Sequence, residues 1–141
     1  MLSLRREQVE AFEQHLFDAM LSRIERAIAA TFPELSVADG TREGEPSAEI
    51  ESIVVRGVET AAEFGIHARP DIAAFIALGV ASRSAGSSKP LPDWIKGWLN
   101  RPETAGSTKM AVIEAQLAEF GSSDPALATV ARKVAAVRSL A

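Results

Sequence analysis

SAEIESIVVRGVETAAEFGI, residues 47–66, holds the one run in the chain with β-strand character, Ile53-Val54-Val55, set inside a longer helical period. Three β-branched residues are too short for a strand of ordinary length. Ile50, Ile53, Val54, Val58, Ala61 and Ala62 recur at steps of three and four, which places them on one face of a helix. The ends agree. Ser47 is a candidate N-cap, and Glu49 and Glu51 complement the positive end of the helix dipole. Phe64-Gly65-Ile66 is a helix stop, in which the glycine takes the left-handed conformation and Ile66 folds back onto the last turn.

The same period extends in both directions. Val9, Phe12, Leu16, Met20, Ile24, Ala27 and Ile28 predict a long amphipathic first helix, with Ser3 as its candidate N-cap and Phe32-Pro33 as its end. PELSVADGTREGEP, from Pro33 to about Pro46, has no apolar period and reads as an exposed loop. A third helix opens near Pro70 and Asp71, with Ile72, Phe75, Ile76 and Val80 as its buried face. SRSAGSSKPLP, residues 82–92, reads as a second exposed loop. Asp93 to Leu99 forms a short helical turn that sets Trp94 and Trp98 four residues apart on one side. A fifth helix runs from about Thr108 to Phe120 and stops at Gly121. Asp124-Pro125 opens a last one through Leu127, Val130, Val134 and Val137, with Arg132, Lys133 and Arg138 suited to its negative end. The expectation is an all-α protein: one domain over residues 1–141, a bundle of about five to six helices with exposed loops at about 33–46 and 82–92.

Composition narrows the function. With 47% hydrophobic and 24% charged residues, the 141-residue chain has the balance of an ordinary globular domain, long enough to bury a core without metal or disulfide support. Zero cysteines remove thiolate chemistry and cysteine-based zinc sites. There is no apolar run of membrane-spanning length, and Arg5, Arg6, Glu7 and Glu10 stand where a signal peptide would need another order, so a cytoplasmic location is expected. A formal charge of −4 argues against nucleic-acid binding. That charge is uneven. Residues 1–60 carry six Lys/Arg against twelve Asp/Glu, and residues 61–141 carry nine against seven, so the first part is suited to steering a basic partner.

Chemistry-bearing patterns are sparse. Asp39 to Glu45 follows the order of a calcium-binding EF-hand loop, with glycine at its sixth position, but Arg42 occupies the fourth and Ile50 stands where a bidentate glutamate is required. Glu59, Glu63 and His67 are spaced by four and could hold a transition metal on a continuous helix, although Gly65 is expected to interrupt it. The Gly106-Ser107-Thr108-Lys109 stretch could offer backbone N–H groups to an anion. No nucleophile elbow, phosphate loop or dinucleotide fingerprint occurs, so no cofactor, metal or catalytic residue is assigned. Trp94 and Trp98 are either core anchors or the centre of a partner-binding surface.

The order of these pieces resembles a family of small helical bacterial proteins found near genes for type VI secretion spikes and their effectors. The resemblance covers about residues 1–120. It is carried by the long first helix ending in Phe32-Pro33, by Arg56-Gly57-Val58-Glu59-Thr60-Ala61-Ala62-Glu63-Phe64-Gly65-Ile66, by the Asp71 helix with Phe75-Ile76, and by Pro92, Trp94, Ile95 and Leu99. Arg83-Ser84-Ala85-Gly86-Ser87 stands where the family tends to read Gly-x-x-Phe-Asp. The resemblance implies an accessory role beside a secreted effector and carries over no catalytic residue.

Together these readings predict a non-enzymatic protein-binding module. It would be an adaptor or chaperone for a secreted effector or spike component, with Trp94, Trp98 and Leu99 at the partner surface and the first helix and its loop as secondary contacts. The alternatives are an immunity protein whose acidic half masks a toxin, and a small carboxylate- or metal-dependent enzyme using Glu59, Glu63 and His67.

Overall fold

A computed structural model describes residues 6–38, 45–84 and 93–141, all of whose regular structure is helical. Seven helices are present among the described residues, one or two more than the periodicity predicts: α1 (Arg6–Thr31), α2 (Pro33–Ala38), α3 (Ala48–Glu63), α4 (Arg69–Ser84), α5 (Asp93–Leu99), α6 (Gly106–Gly121) and α7 (Pro125–Leu140). Ile53-Val54-Val55 lies within α3, as its flanking period requires.

The additional helix is α2. It occupies the start of what reads as a loop, because Pro33 at a first helical position has its φ already set and no N–H to lose. Leu35 packs on the core, and the buried Ser36 hydroxyl donates to the Glu45 carbonyl. The reading of 33–46 as loop therefore fails over Pro33–Ala38. Residues 39–44, most of the EF-hand-like stretch, lie outside the described residues, as do Ser3 and residues 85–92. In the second predicted loop, α4 continues through Ser84.

Caps set the ends of α3 and α7. The Ile50 N–H donates to Ser47 Oγ at 3.2 Å. Gly65 has φ +77°, and the Ile66 N–H donates to the Ala61 carbonyl at 2.9 Å, closing α3 with Ile66 in the core. Asp124 Oδ1 accepts from the Ala126 and Leu127 N–H groups at 3.0 and 3.4 Å. Gly121 differs from the expectation. It is the last residue of α6 without positive φ, and a Cβ there would lie 2.9 Å from Ala128 Cα, so it serves close helix approach.

The core is one cluster to which every helix contributes. Helix α4 runs through its middle, buried at Ile72, Ala73, Ala74, Ile76, Ala77, Leu78, Val80 and Ala81, so its alanines let neighbours approach on more than one side. It packs most extensively on α7, which contributes Val130, Val134 and Val137. Lys109 is buried in α6, and its ammonium donates to the carbonyls of Phe64 at 2.8 Å and Leu99 at 2.9 Å, tying the ends of α3 and α5 together. Lys133 donates to the Thr31 carbonyl at 2.8 Å and so caps the end of α1. Both lysines serve the negative ends of other helices.

Candidate protein-docking surfaces

Helix α1 is about 39 Å long, at 26 residues and about 1.5 Å per residue, and among its described side chains packing on the core begins at Met20. Ile24, Ala27 and Ile28 are in the core, and Met20 and Leu21 rest against it. Every described side chain from Glu10 to Ala19 is exposed, including Leu16 at 53% and Phe17 at 43%. On a helical projection Leu16 and Phe17 lie to either side of the line through Met20 and Ile24, so the stripe that enters the core continues past the body into solvent. Glu13 sits one turn back between them, and the ten residues from Glu10 to Ala19 carry three carboxylates and no Lys or Arg.

The sequence places Leu16 in the core and passes over Phe17. A periodic stripe does not say how far along a helix its neighbours extend, which explains the error. The arrangement is suited to insertion of two large apolar side chains and a carboxylate into a partner.

The tryptophans and Leu99 divide. Leu99 is 3% exposed and sits in the core, so it cannot be a contact residue as expected: the turn that half-exposes Trp94 and Trp98 rotates Leu99 inward beside Ile95. Trp94 is half-buried and meets Phe120 edge-on, with ring centroids 5.3 Å apart. Phe120 is itself exposed. Trp98 is half-buried under the Arg101 guanidinium, 3.9 Å from the ring centroid, a cation–π contact that already covers part of the ring. Both tryptophans anchor α5 to the core while keeping some surface.

A third feature lies between α3 and α4. A groove of about 350 Å³ is lined by Ile53, Phe75, Ile76 and Val80, with Arg56 and Arg83 among its lining residues and no carboxylate. Gly79 leaves part of it open, since a Cβ at that position would have no neighbour within 4 Å. A second, more open depression of about 470 Å³ lies between α1 and the end of α7, bordered by Arg23, Arg26 and Leu140.

The remaining sequence candidates are placed as follows. Glu59 and Glu63 are exposed on α3, His67 lies beyond its end, and no group of three or more His, Cys, Asp or Glu is placed to hold a metal ion among the described residues. The Gly106–Lys109 stretch is closed to an anion. Gly106 is buried against the Gly65–Ile66 backbone, where a Cβ would come within 2.7 Å of Ile66 Cα, and the Lys109 ammonium is engaged by two carbonyls.

Sequence reasoning missed an ion network. Arg138 grips Glu114 with two hydrogen bonds of 2.7 and 2.6 Å and reaches Asp71 at 2.7 Å, linking α4, α6 and α7. The Glu114 hydrogen bonds, opposed by burial and aided by Asp71, hold the guanidinium proton more tightly than usual. Asp71 and Arg138 thus serve tertiary packing rather than only the dipoles of their own helices. Burial, then repulsion from Glu51, pushes the Glu25 carboxyl above its ordinary value.

No protein-family model matches the chain, and no curated protein or solved structure is significantly similar to it.

Proposed function

We propose that this chain is a non-enzymatic, cytoplasmic, single-domain protein-binding module, an adaptor or chaperone for a secreted effector or spike component, that docks through the projecting half of α1. One observation carries the reading: Leu16 and Phe17 extend the core-facing stripe of α1 into solvent, where nothing in the chain's described residues covers them. Glu13 within the stripe selects an apolar partner groove that carries a basic group. Trp94, Phe120 and Trp98 form a smaller secondary contact. The test is co-purification of the tagged chain from its own cells, comparing the wild type with the Leu16→Ser/Phe17→Ser double variant. Wild type retains one effector or spike protein in stoichiometric amount, and the variant loses it while melting at the same temperature, because neither side chain contributes to the core. Equal retention by both forms would remove α1 from the interface.

The acidic excess of residues 1–60 favours a second reading, an immunity protein that masks a basic toxin. It requires that one equivalent of the purified chain abolish the toxin's activity, with an association rate that falls steeply as salt is added. An adaptor leaves that activity intact.

A further inference from the structure

We propose that the acidic projecting half of α1 docks into the arginine-bearing groove between α3 and α4 of a second copy of this chain. The inference rests on the reading of that half as a docking helix and adds the occupant it finds when no other partner is present. Two features of one molecule match in both apolar character and charge. The helix offers Leu16 and Phe17 with Glu13 between them. The groove offers apolar walls from Ile53, Phe75 and Val80, and two guanidinium groups.

The charges on the groove are available. Arg56 and Arg83 are exposed, and neither makes an ion pair with another described residue. Its depth comes from sequence. Gly79 leaves open the space that a side chain on α4 would take, and Gly57 lets Ile76 close in beneath, because a Cβ on Gly57 would collide with the Ile76 side chain. The resulting volume, about 350 Å³, admits a pair of large side chains rather than a whole helix. This fits a helix that presents two such residues one after the other.

Charge also decides against the simpler pairing of α1 with α1. Such a pair sets the Glu13 of one copy in the same apolar seam as the Glu13 of the other, and like charges across an interface are unfavourable. The helix-to-groove contact pairs opposite charges. Each copy owns one helix and one groove, so two copies related by a two-fold axis exchange the contact reciprocally and close the assembly.

Sedimentation velocity over a range of concentrations tests this directly, on wild type and on two surface variants, Glu13→Lys and Arg56→Glu/Arg83→Glu, with circular dichroism as the check on folding. Wild type shifts from one copy to two as concentration rises, and each variant alone weakens association about tenfold or more. Mixing the two variants restores it. In the mixed pair, the helix carrying the substituted lysine meets the groove carrying two glutamates, and the unaltered Glu13 of the other copy meets the groove that keeps both arginines. A wild type that stays monomeric at every concentration overturns the proposal, as does a mixture that fails to regain association or a dimer indifferent to the groove variant. None of these outcomes touches the partner-capture result with Leu16→Ser/Phe17→Ser, so failure here and failure of the adaptor reading are separately visible.

Discussion

Lys109 illustrates why single charged residues are hard to assign from sequence. Its two acceptors are Leu99, ten residues away, and Phe64, 45 residues away, so no local pattern announces them. The same holds for Lys133 and the Thr31 carbonyl, 102 residues apart, and for Arg138 and Asp71, 67 apart. Sequence reasoning assigns Lys133 and Arg138 to the end of their own helix because the dipole rule is local, and reads Lys109 as part of an anion-binding helix start, while the fold directs all three to other helices. The packing role of Lys109 makes a quantitative prediction. Lys109→Met keeps the length of the side chain and removes the donor, leaving two helix-end carbonyls without it. Each lost charged hydrogen bond contributes about 1.5–3 kcal/mol, partly offset by the relief of a buried charge, so the net destabilisation is about 2–4 kcal/mol. Urea denaturation measures it. A change below about 0.5 kcal/mol would mean that water replaces the ammonium and that the tie between α3 and α5 is weak.

At the scale of elements, start and stop signals are the most legible part of the sequence. Ser47, Gly65 and Asp124 cap where their residue types require, because capping depends on a few adjacent backbone groups. Legibility fails at α2, where proline opens a helix instead of a loop, and in α4, where small residues around the whole circumference hide a central helix from a one-face pattern. Glycines divide by the same logic. Gly97 in α5 has open space where a Cβ would go, whereas Gly106 lies against the backbone of the α3–α4 turn. Gly97→Ala is therefore expected to stabilise by about 0.5–1 kcal/mol through helix propensity. Gly106→Ala is expected to cost at least about 2 kcal/mol, since α6 must move away from Gly65 and carry Lys109 with it. Thermal melts of the two variants should move in opposite directions. A shared direction would show that the close approach of α6 to the turn is easily relaxed.

For the whole molecule, the division of α1 into a packed stretch and an exposed one over residues 13–19 is what the proposed function rests on. It is also what the sequence could not supply. The amphipathic period runs unbroken from Val9 to Ile28, and only the extent of α3, α4 and α7 decides that packing begins near Met20. This has a dynamic consequence. A helical segment without tertiary contacts, shorter than about 12–15 residues, is marginal in water, so the projecting half is held mainly by continuation from the packed half. Native-state hydrogen exchange at low concentration should show amides of residues 10–19 at least about 100-fold less protected than those of residues 24–31, with a gradient across Met20. Raising the concentration then separates two behaviours. Protection that grows over residues 10–19 and, together with it, along α3 and α4 around the groove is the signature of helix-to-groove docking. Growth over α1 alone would direct attention to a different surface on the second copy. Full and concentration-independent protection of residues 10–19 would mean that the stripe is already covered within one chain, and Leu16 and Phe17 would lose their place as docking residues.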